Sequence, residues 1–160
     1  MKKYIFLFFL ILSVSSNSFA ASSGSSNNSL SNYDKAAKLI DEAKKYEKNG
    51  KVKKANKRYK RALKYLVKSD KEKPNIPDTL NYLGFVTRKL GDYINGEKYY
   101  LKGLAIDPNH VGINEYLGEL YVVTKRIDLA IKRLEVLEKC NCEEYKELKE
   151  IIEGKKESKY

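Results

Sequence analysis

The sequence predicts an all-α fold in which short helices form hairpins that stack into a solenoid. The first observation lies in residues 79–108, where small and apolar residues recur at helical spacing on two successive faces. These residues are Leu80, Leu83, Gly84 and Thr87 on the first face, and Gly96, Tyr100, Gly103 and Leu104 on the second. Gly91-Asp92 separates the two faces, and Asp107-Pro108 ends the second. Such a hairpin cannot bury its own apolar face, so it needs neighbours of the same kind.

The second observation is that this pattern recurs every 34 residues. The spacing separates three pairs of residues, namely Gly84 and Gly118, Gly96 and Ala130, and Tyr100 and Leu134. Upstream, six residues between Ala43 and Ala62 match six residues between Gly84 and Gly103 at a constant offset of 41 residues. The seven additional residues predict an insertion at 68–77, where two prolines forbid a continuous helix.

The N-terminal segment 1–20 has the three-part layout of a secretory signal peptide. Lys2 and Lys3 precede an apolar run at 4–14, and a small-x-small ending closes at Ala20. The run is shorter than the roughly 20 residues that span a bilayer. We therefore expect cleavage after Ala20 and export to the periplasm, with an uncleaved N-terminal anchor as the alternative. The Ser/Asn-rich stretch 21–32 predicts a flexible leader.

Positive charge is concentrated in one part of the chain. The whole sequence carries a net charge of +11, and residues 44–73 alone contain fourteen Lys or Arg and three acidic residues. A basic helix face of this kind could contact an anionic lipid, an acidic polysaccharide or an acidic protein segment. The alternative is a solvated lysine-rich helix. Nucleic acid is not an expected partner of an exported chain.

The 34-residue helix–turn–helix unit resembles the tetratricopeptide repeat (TPR). The middle unit carries Leu80, Leu83-Gly84, Gly96, Tyr100, Gly103 and Pro108, and the third carries Leu117-Gly118, Tyr121, Ala130 and Leu134. The departures are Glu42 and Ala43 in the first unit, and Asn114, Leu137 and Cys142 in the third. The resemblance covers about residues 34–142 and implies a right-handed α-solenoid of about three hairpins. We place the repeats at about 36–69, 77–110 and 111–144, within a domain 33–153.

A final amphipathic segment at 143–153 predicts a helix that caps the open end of the solenoid. Tyr145, Leu148, Ile151 and Ile152 share one face. Asn141 and Glu144 stand at the spacing of a capping box. This cap and the third unit look like those of small exported bacterial TPR proteins. Residues 154–160 predict a charged tail with no core to join.

Catalysis is not predicted. The chain has a single histidine, and a nucleophilic site needs a base that is held against a nucleophile and oriented by a third group. His110 falls in a turn and is interpreted as a solvent-facing residue. No cofactor or metal is expected.

Cys140 and Cys142 form a candidate site near the C-terminal helix. Thiols of an exported chain tend to oxidise, and a tight turn could bring the two Cα atoms within the roughly 4.4–6.8 Å that a disulfide needs. We therefore expect a structural disulfide or a pair of half-buried thiols. The alternative is a redox-active or metal-handling envelope protein that works through this pair, although two cysteines and one distant histidine are a poor metal signature.

The leading hypothesis for function follows from the resemblance. In TPR proteins the first helix of each hairpin lines a concave groove that binds a peptide or a partner protein. Carried onto this chain, the predicted groove residues are Ile40, Lys44, Asn81, Phe85, Arg88, Glu115, Glu119 and Val122. They include both signs of charge and one aromatic residue, Phe85, that is expected to be exposed. They lack the regular Lys/Asn pattern with which some TPR proteins bind a C-terminal carboxylate. The prediction is a non-enzymatic interaction module, or scaffold, of the bacterial cell envelope.

Overall fold

A computed structural model describes residues 30–158, and the secondary structure in this range consists of seven α-helices and no strand. The helices are α1 (Asn32–Lys48), α2 (Val52–Glu72), α3 (Pro77–Lys89), α4 (Tyr93–Ile106), α5 (Val111–Val123), α6 (Ile127–Leu137) and α7 (Glu143–Ile152). The predicted signal peptide and most of the predicted leader lie outside the described residues, as do Lys159 and Tyr160. Within residues 30–158, no helix is long and apolar enough to cross a membrane.

The helices pair as three consecutive hairpins. α1 packs mainly on α2, α3 on α4, and α5 on α6, and each hairpin contacts the next. α7 packs on both α5 and α6, in the place that the first helix of a fourth hairpin would take. The predicted all-α solenoid with a capping helix is therefore confirmed.

The small residues lie where helix backbones come together. A Cβ added to Gly84 would be 2.5 Å from the ring of Tyr100, and one added to Gly118 would be 2.5 Å from Leu148. An added Cβ at Gly103 would clash with Ile113. Every residue of the two faces predicted within 79–108 is buried. The glycines thus set the distance within the middle hairpin, between hairpins and between α5 and the cap.

The turns of the three hairpins share one backbone feature. Gly50 and Gly91 have φ values of +68° and +93°, and Lys125 occupies the corresponding position of the third hairpin with a φ of +61°. The left-handed region is open to glycine and unfavourable for a residue with a Cβ. The turn geometry is therefore conserved within the chain although the glycine is not.

The insertion between the first two hairpins is partly helical. α2 continues to Glu72, so residues 68–72 belong to the helix and only 73–76 form a loop. The break between the two helices falls within the predicted insertion at 68–77, and Pro74 disfavours the helical conformation of the residue before it. Pro77 occupies the first turn of α3, where a missing N–H is tolerated.

Candidate functional site

The first helices of the hairpins and the cap form one continuous surface. α1 contacts α3, α3 contacts α5, and α5 contacts α7. We call the surface of these four helices the A-helix surface. All eight residues predicted for the groove lie on three of these helices, α1, α3 and α5.

An aromatic pair covered by a lysine occupies the middle of the A-helix surface. The rings of Phe85 and Tyr116 have centroids 5.0 Å apart. The Lys44 ammonium lies 4.8 Å from the centroid of the Phe85 ring and donates a hydrogen bond of 3.3 Å to the Tyr116 hydroxyl. Phe85 is only 2% exposed. The expectation that Phe85 is an exposed groove aromatic was wrong, because Lys44 and Tyr116 cover it.

A basic cleft of about 470 Å³ lies beside this pair, between α1 and α3. Its lining consists of Lys44, Glu47, Lys48, Phe85 and Lys89. Glu47 accepts a hydrogen bond of 2.9 Å from the Tyr59 hydroxyl and lies 2.8 Å from the Lys89 ammonium. Three lysines against one carboxylate leave the cleft positive, so it suits a negatively charged group.

Arg88 is a buried cation that joins the second hairpin to the third. It is 1% exposed, and its Nη2 lies 3.5 Å from Oε2 of Glu119, which is 0% exposed. Nη1 donates a hydrogen bond to the backbone carbonyl of Tyr116. Burial lowers the pKa of the Arg88 guanidinium, and the charges of Glu119 and Glu115 oppose that effect. Arg88 is thus enclosed by its own chain, and its predicted contact with a partner would require it to be uncovered.

Three carboxylates meet at the other end of the A-helix surface. Single oxygens of Glu115, Glu119 and Glu147 all lie within 4.8 Å of one another, and the first two residues are buried. We call these residues the acidic cluster. The Lys156 ammonium lies 2.9 Å from Oε1 of Glu147, and the Ser158 hydroxyl donates a 3.4 Å hydrogen bond to Oε2 of Glu119. The segment 154–158 therefore folds back onto α5 and α7, whereas the sequence predicted a tail with no core to join.

The predicted groove residues differ in accessibility. Among the eight, Lys44 is exposed and Val122 is half-buried, whereas the other six are buried: Ile40, Asn81, Phe85, Arg88, Glu115 and Glu119. Ile40 belongs to the core of the first two hairpins. The structure brings Lys44 and Phe85 together, and separately Arg88, Glu115 and Glu119. Their contact with a partner stays a prediction.

Sequence reasoning missed three residues that organise this surface. Tyr116 could have been found, since Tyr82 stands 34 residues before it and repeats the aromatic side chain on α3. Glu147 and Lys156 had no such signal, because their positions depend on the docking of α7 and on the reversal of the chain after it.

His110 is a helix cap rather than the solvent-facing residue that was predicted. Its Nδ1 accepts a 3.2 Å hydrogen bond from the backbone N–H of Ile113, at the start of α5. Nε2 lies 3.1 Å from Oδ1 of Asp78 and, since Nδ1 is an acceptor, donates to it. Nδ1 therefore caps the start of α5, and Nε2 connects this end of α5 to α3.

Cys140 and Cys142 are joined in a disulfide with Cα atoms 5.2 Å apart. Asn141 between them has a φ of +48°, and Cys142 is the residue that precedes α7. The predicted capping box is absent, because Cys142 takes the N-cap position and makes no side-chain cap. The bridge closes the turn that leads into the cap, and a redox role for it stays a prediction.

The basic residues of α2 face outward. Lys53, Lys57, Lys60, Arg61 and Lys64 line one shallow exposed surface together with Asn56. It lies on α2, the second helix of its hairpin, and so apart from the A-helix surface.

Comparison with known proteins gives the class of fold. Neither protein-family models nor curated proteins match this chain. Among solved structures, the Yersinia enterocolitica type III secretion translocator chaperone SycD is 19% identical, with a TM-score of 0.53 over 76% of this chain and 89% of that one. The first TPR of Spaghetti (RPAP3) bound to the HSP90 peptide SRMEEVD is 22% identical, with a TM-score of 0.48 over 76% of this chain and 94% of that one. The chain has a TPR-like fold, an all-α solenoid of helical hairpins.

Proposed function

We propose that this chain is a non-enzymatic interaction module that binds a peptide segment or a partner protein along its A-helix surface. The observation that carries the proposal is the basic cleft on that surface, which the exposed residues Lys44 and Lys48 line. The basic cleft lies between α1 and α3, the acidic cluster lies between α5 and α7, and the Phe85–Tyr116 pair lies between them. The exposed lysines of the basic cleft attract a segment that carries a negatively charged group, whereas Glu115 and Glu119 are buried and face Arg88 inside the molecule.

The placement of the charged residues supports binding over catalysis. His110 holds the start of α5 and contacts Asp78 on α3, so neither ring nitrogen is directed at a nucleophile. Arg88 and Glu119 form a buried ion pair, with Nη2 and Oε2 3.5 Å apart. The fold is shared with SycD, a translocator chaperone, and this likeness supports the fold alone.

We further propose that the module acts in the cell envelope after export. This part rests on the sequence of residues 1–20, which has the basic start, apolar run and small-residue ending of a signal peptide.

The test is capture of partners from an envelope fraction by the purified chain and by charge-reversed variants. Lys48→Glu changes an exposed residue of the basic cleft, and Lys45→Glu is the matched control, since Lys45 is an exposed lysine of the same helix outside the cleft. We expect Lys48→Glu to lose the captured protein and Lys45→Glu to retain it. The double variant Lys57→Glu, Arg61→Glu reverses two positive charges on the exposed face of α2.

If the double variant on α2 loses the partner and Lys48→Glu retains it, the binding site lies on the basic face of α2 and not in the basic cleft. Raising the salt concentration should then weaken binding steeply, because exposed charges are screened within about 10 Å at 0.1 M salt.

A further inference from the structure

We propose that the outward face of α2 docks on the surface of an anionic lipid bilayer, with a row of lysine side chains directed at the lipid headgroups. The inference goes beyond the proposed function, because α2 is not part of the A-helix surface and the ligand is a lipid surface rather than a protein segment.

The exposed face of α2 carries a regular row of lysines. Successive members stand three, four or seven residues apart, which places them on one face of the helix. All five are exposed, and we call them the lysine row: Lys53, Lys57, Lys60, Lys64 and Lys71. Val67 takes the one position of the row that has no lysine, and it is 38% exposed. At 1.5 Å per residue the row is about 27 Å long.

The surroundings of the lysine row add positive charge to it. Residues 52–69 contain eight Lys or Arg and no Asp or Glu, and the two acidic residues of α2 lie in its last turn. Arg58 pairs with Glu42 of α1 at 2.6 Å, but it lies on the side of α2 that faces α1 and so does not belong to the row. Lys35 and Lys38 of α1 line an adjoining surface with Arg58. The outer side of the first hairpin therefore has a positive potential.

The repeat does not itself require lysine on this face. The offset of 41 residues relates positions 53, 57, 60 and 64 to four exposed residues of α4, which are Ile94, Lys98, Leu101 and Ala105. A further 34 residues relate the first three of these to exposed residues of α6, which are Asp128, Lys132 and Glu135. Mixed charges are sufficient to keep a helix face soluble. The lysine row is thus a property of the first hairpin and not of the fold.

A lipid surface suits this face better than a structured partner does. The lysines lie on a shallow exposed surface, whereas a protein interface is anchored by aromatic side chains or arginine in well-packed pockets. Lysine is a flexible point charge without a fixed bonding geometry, so it can follow headgroups that move laterally. Each lysine near an anionic leaflet adds to the attraction, and an exposed valine among them can enter the interfacial region. The export that we expect from residues 1–20 brings the chain to such a surface.

The experiment measures sedimentation of the protein with vesicles of equal parts phosphatidylglycerol and phosphatidylcholine. The protein spans residues 21–160, the chain expected after cleavage, because the apolar run at 4–14 would itself enter a bilayer. All seven helices lie within this range. We expect binding about tenfold or more tighter than to vesicles of phosphatidylcholine alone. Raising the salt concentration to about 0.5 M should remove most of that difference, since it screens exposed charges.

Two double variants locate the contact. Lys60→Glu, Lys64→Glu reverses two charges of the lysine row, and we expect it to weaken binding to the anionic vesicles about tenfold or more. Lys98→Glu, Lys102→Glu is the matched control, because it changes the net charge equally at two exposed lysines four residues apart on α4. It should stay within about twofold of the unaltered protein. Lys60→Gln, Lys64→Gln should show a smaller loss than the reversal, and circular dichroism checks that each variant keeps its helices.

The inference is overturned if the protein binds the anionic vesicles no better than the neutral ones. It is also overturned if Lys60→Glu, Lys64→Glu binds no more weakly than its control, since net charge alone would then explain the attraction. Binding of a soluble sulfated polysaccharide through Lys60 and Lys64, without binding of vesicles, would assign the row to a different ligand. Capture of a protein that depends on Lys48 would survive each of these results, so failure here leaves the proposed function intact.

Discussion

At position 125 a lysine adopts the backbone conformation that glycine supplies in the other two hairpins. The φ of Lys125 is +61°, against +68° for Gly50 and +93° for Gly91. We expect Lys125→Gly to raise the free energy of unfolding by roughly 0.5–1 kcal/mol, because relief of a strain of about 1–2 kcal/mol exceeds the entropy that glycine loses on folding. Urea denaturation measures the change.

Lys125→Ala is the control for this prediction. Alanine removes the charge and the long side chain but keeps the Cβ, so it should bring no gain. Equal stabilisation by glycine and alanine would show that the lysine side chain, and not the backbone, is responsible.

Single residues also show what the sequence could and could not predict. Periodicity placed Leu80, Gly84 and Tyr100 on packing faces, and all three are buried. The same periodicity placed Phe85 on the A-helix surface. Periodicity predicts the direction in which a side chain points, but not how much of it is exposed to solvent. Phe85 is covered because Lys44 and Tyr116 reach across it from two other helices. No local pattern contains that information.

At the scale of the helix, close packing of α3 on α4 depends on Gly84. Replacement of glycine by alanine within a helix normally stabilises it by about 1 kcal/mol. We expect Gly84→Ala to do the reverse and to lower the free energy of unfolding by about 1–3 kcal/mol, because the new methyl would lie 2.5 Å from the buried ring of Tyr100. Thermal and urea unfolding provide the measurement.

Gly112→Ala is the matched control on α5. The nearest atom to its added Cβ is Nδ2 of Asn81, at 2.8 Å, which is the end of a rotatable side chain. This variant should stay within about 1 kcal/mol of the unaltered chain. A loss as large as that of Gly84→Ala would contradict the packing argument.

Helix ends were predicted less well than helix faces. Rules for the N-cap favour Ser, Thr, Asp and Asn, so the sequence pointed to Asn141 before α7 and did not point to His110 before α5. The structure uses Cys142 and His110 instead. The disulfide fixes the first position, and the contact of His110 with Asp78 fixes the second. Both are long-range or covalent constraints that a local rule omits.

For the whole molecule, the ion pair of Arg88 and Glu119 connects the second hairpin to the third. We expect Arg88→Leu alone to destabilise the chain by about 3–5 kcal/mol, because Glu119 and Glu115 would stay buried beside each other without the guanidinium. Adding Glu119→Leu should recover much of that loss, since an apolar pair of similar size removes the buried charges.

A double-mutant cycle measured by urea denaturation gives the coupling energy. If Arg88→Leu does not fold, recovery of a folded chain by the second substitution gives the same conclusion. Strictly additive losses would show that the two residues act independently.

The Arg88–Glu119 pair also constrains the order in which the three hairpins follow one another along the chain. The offset of 41 residues places Glu47 in the first hairpin at the position that Arg88 has in the second. A recombination event that deleted the middle hairpin and joined the first to the third would set the carboxylate of Glu47 against that of Glu119. Such a product would bring like charges together in a buried place. We therefore expect deletion of the middle hairpin to destabilise the chain at this contact.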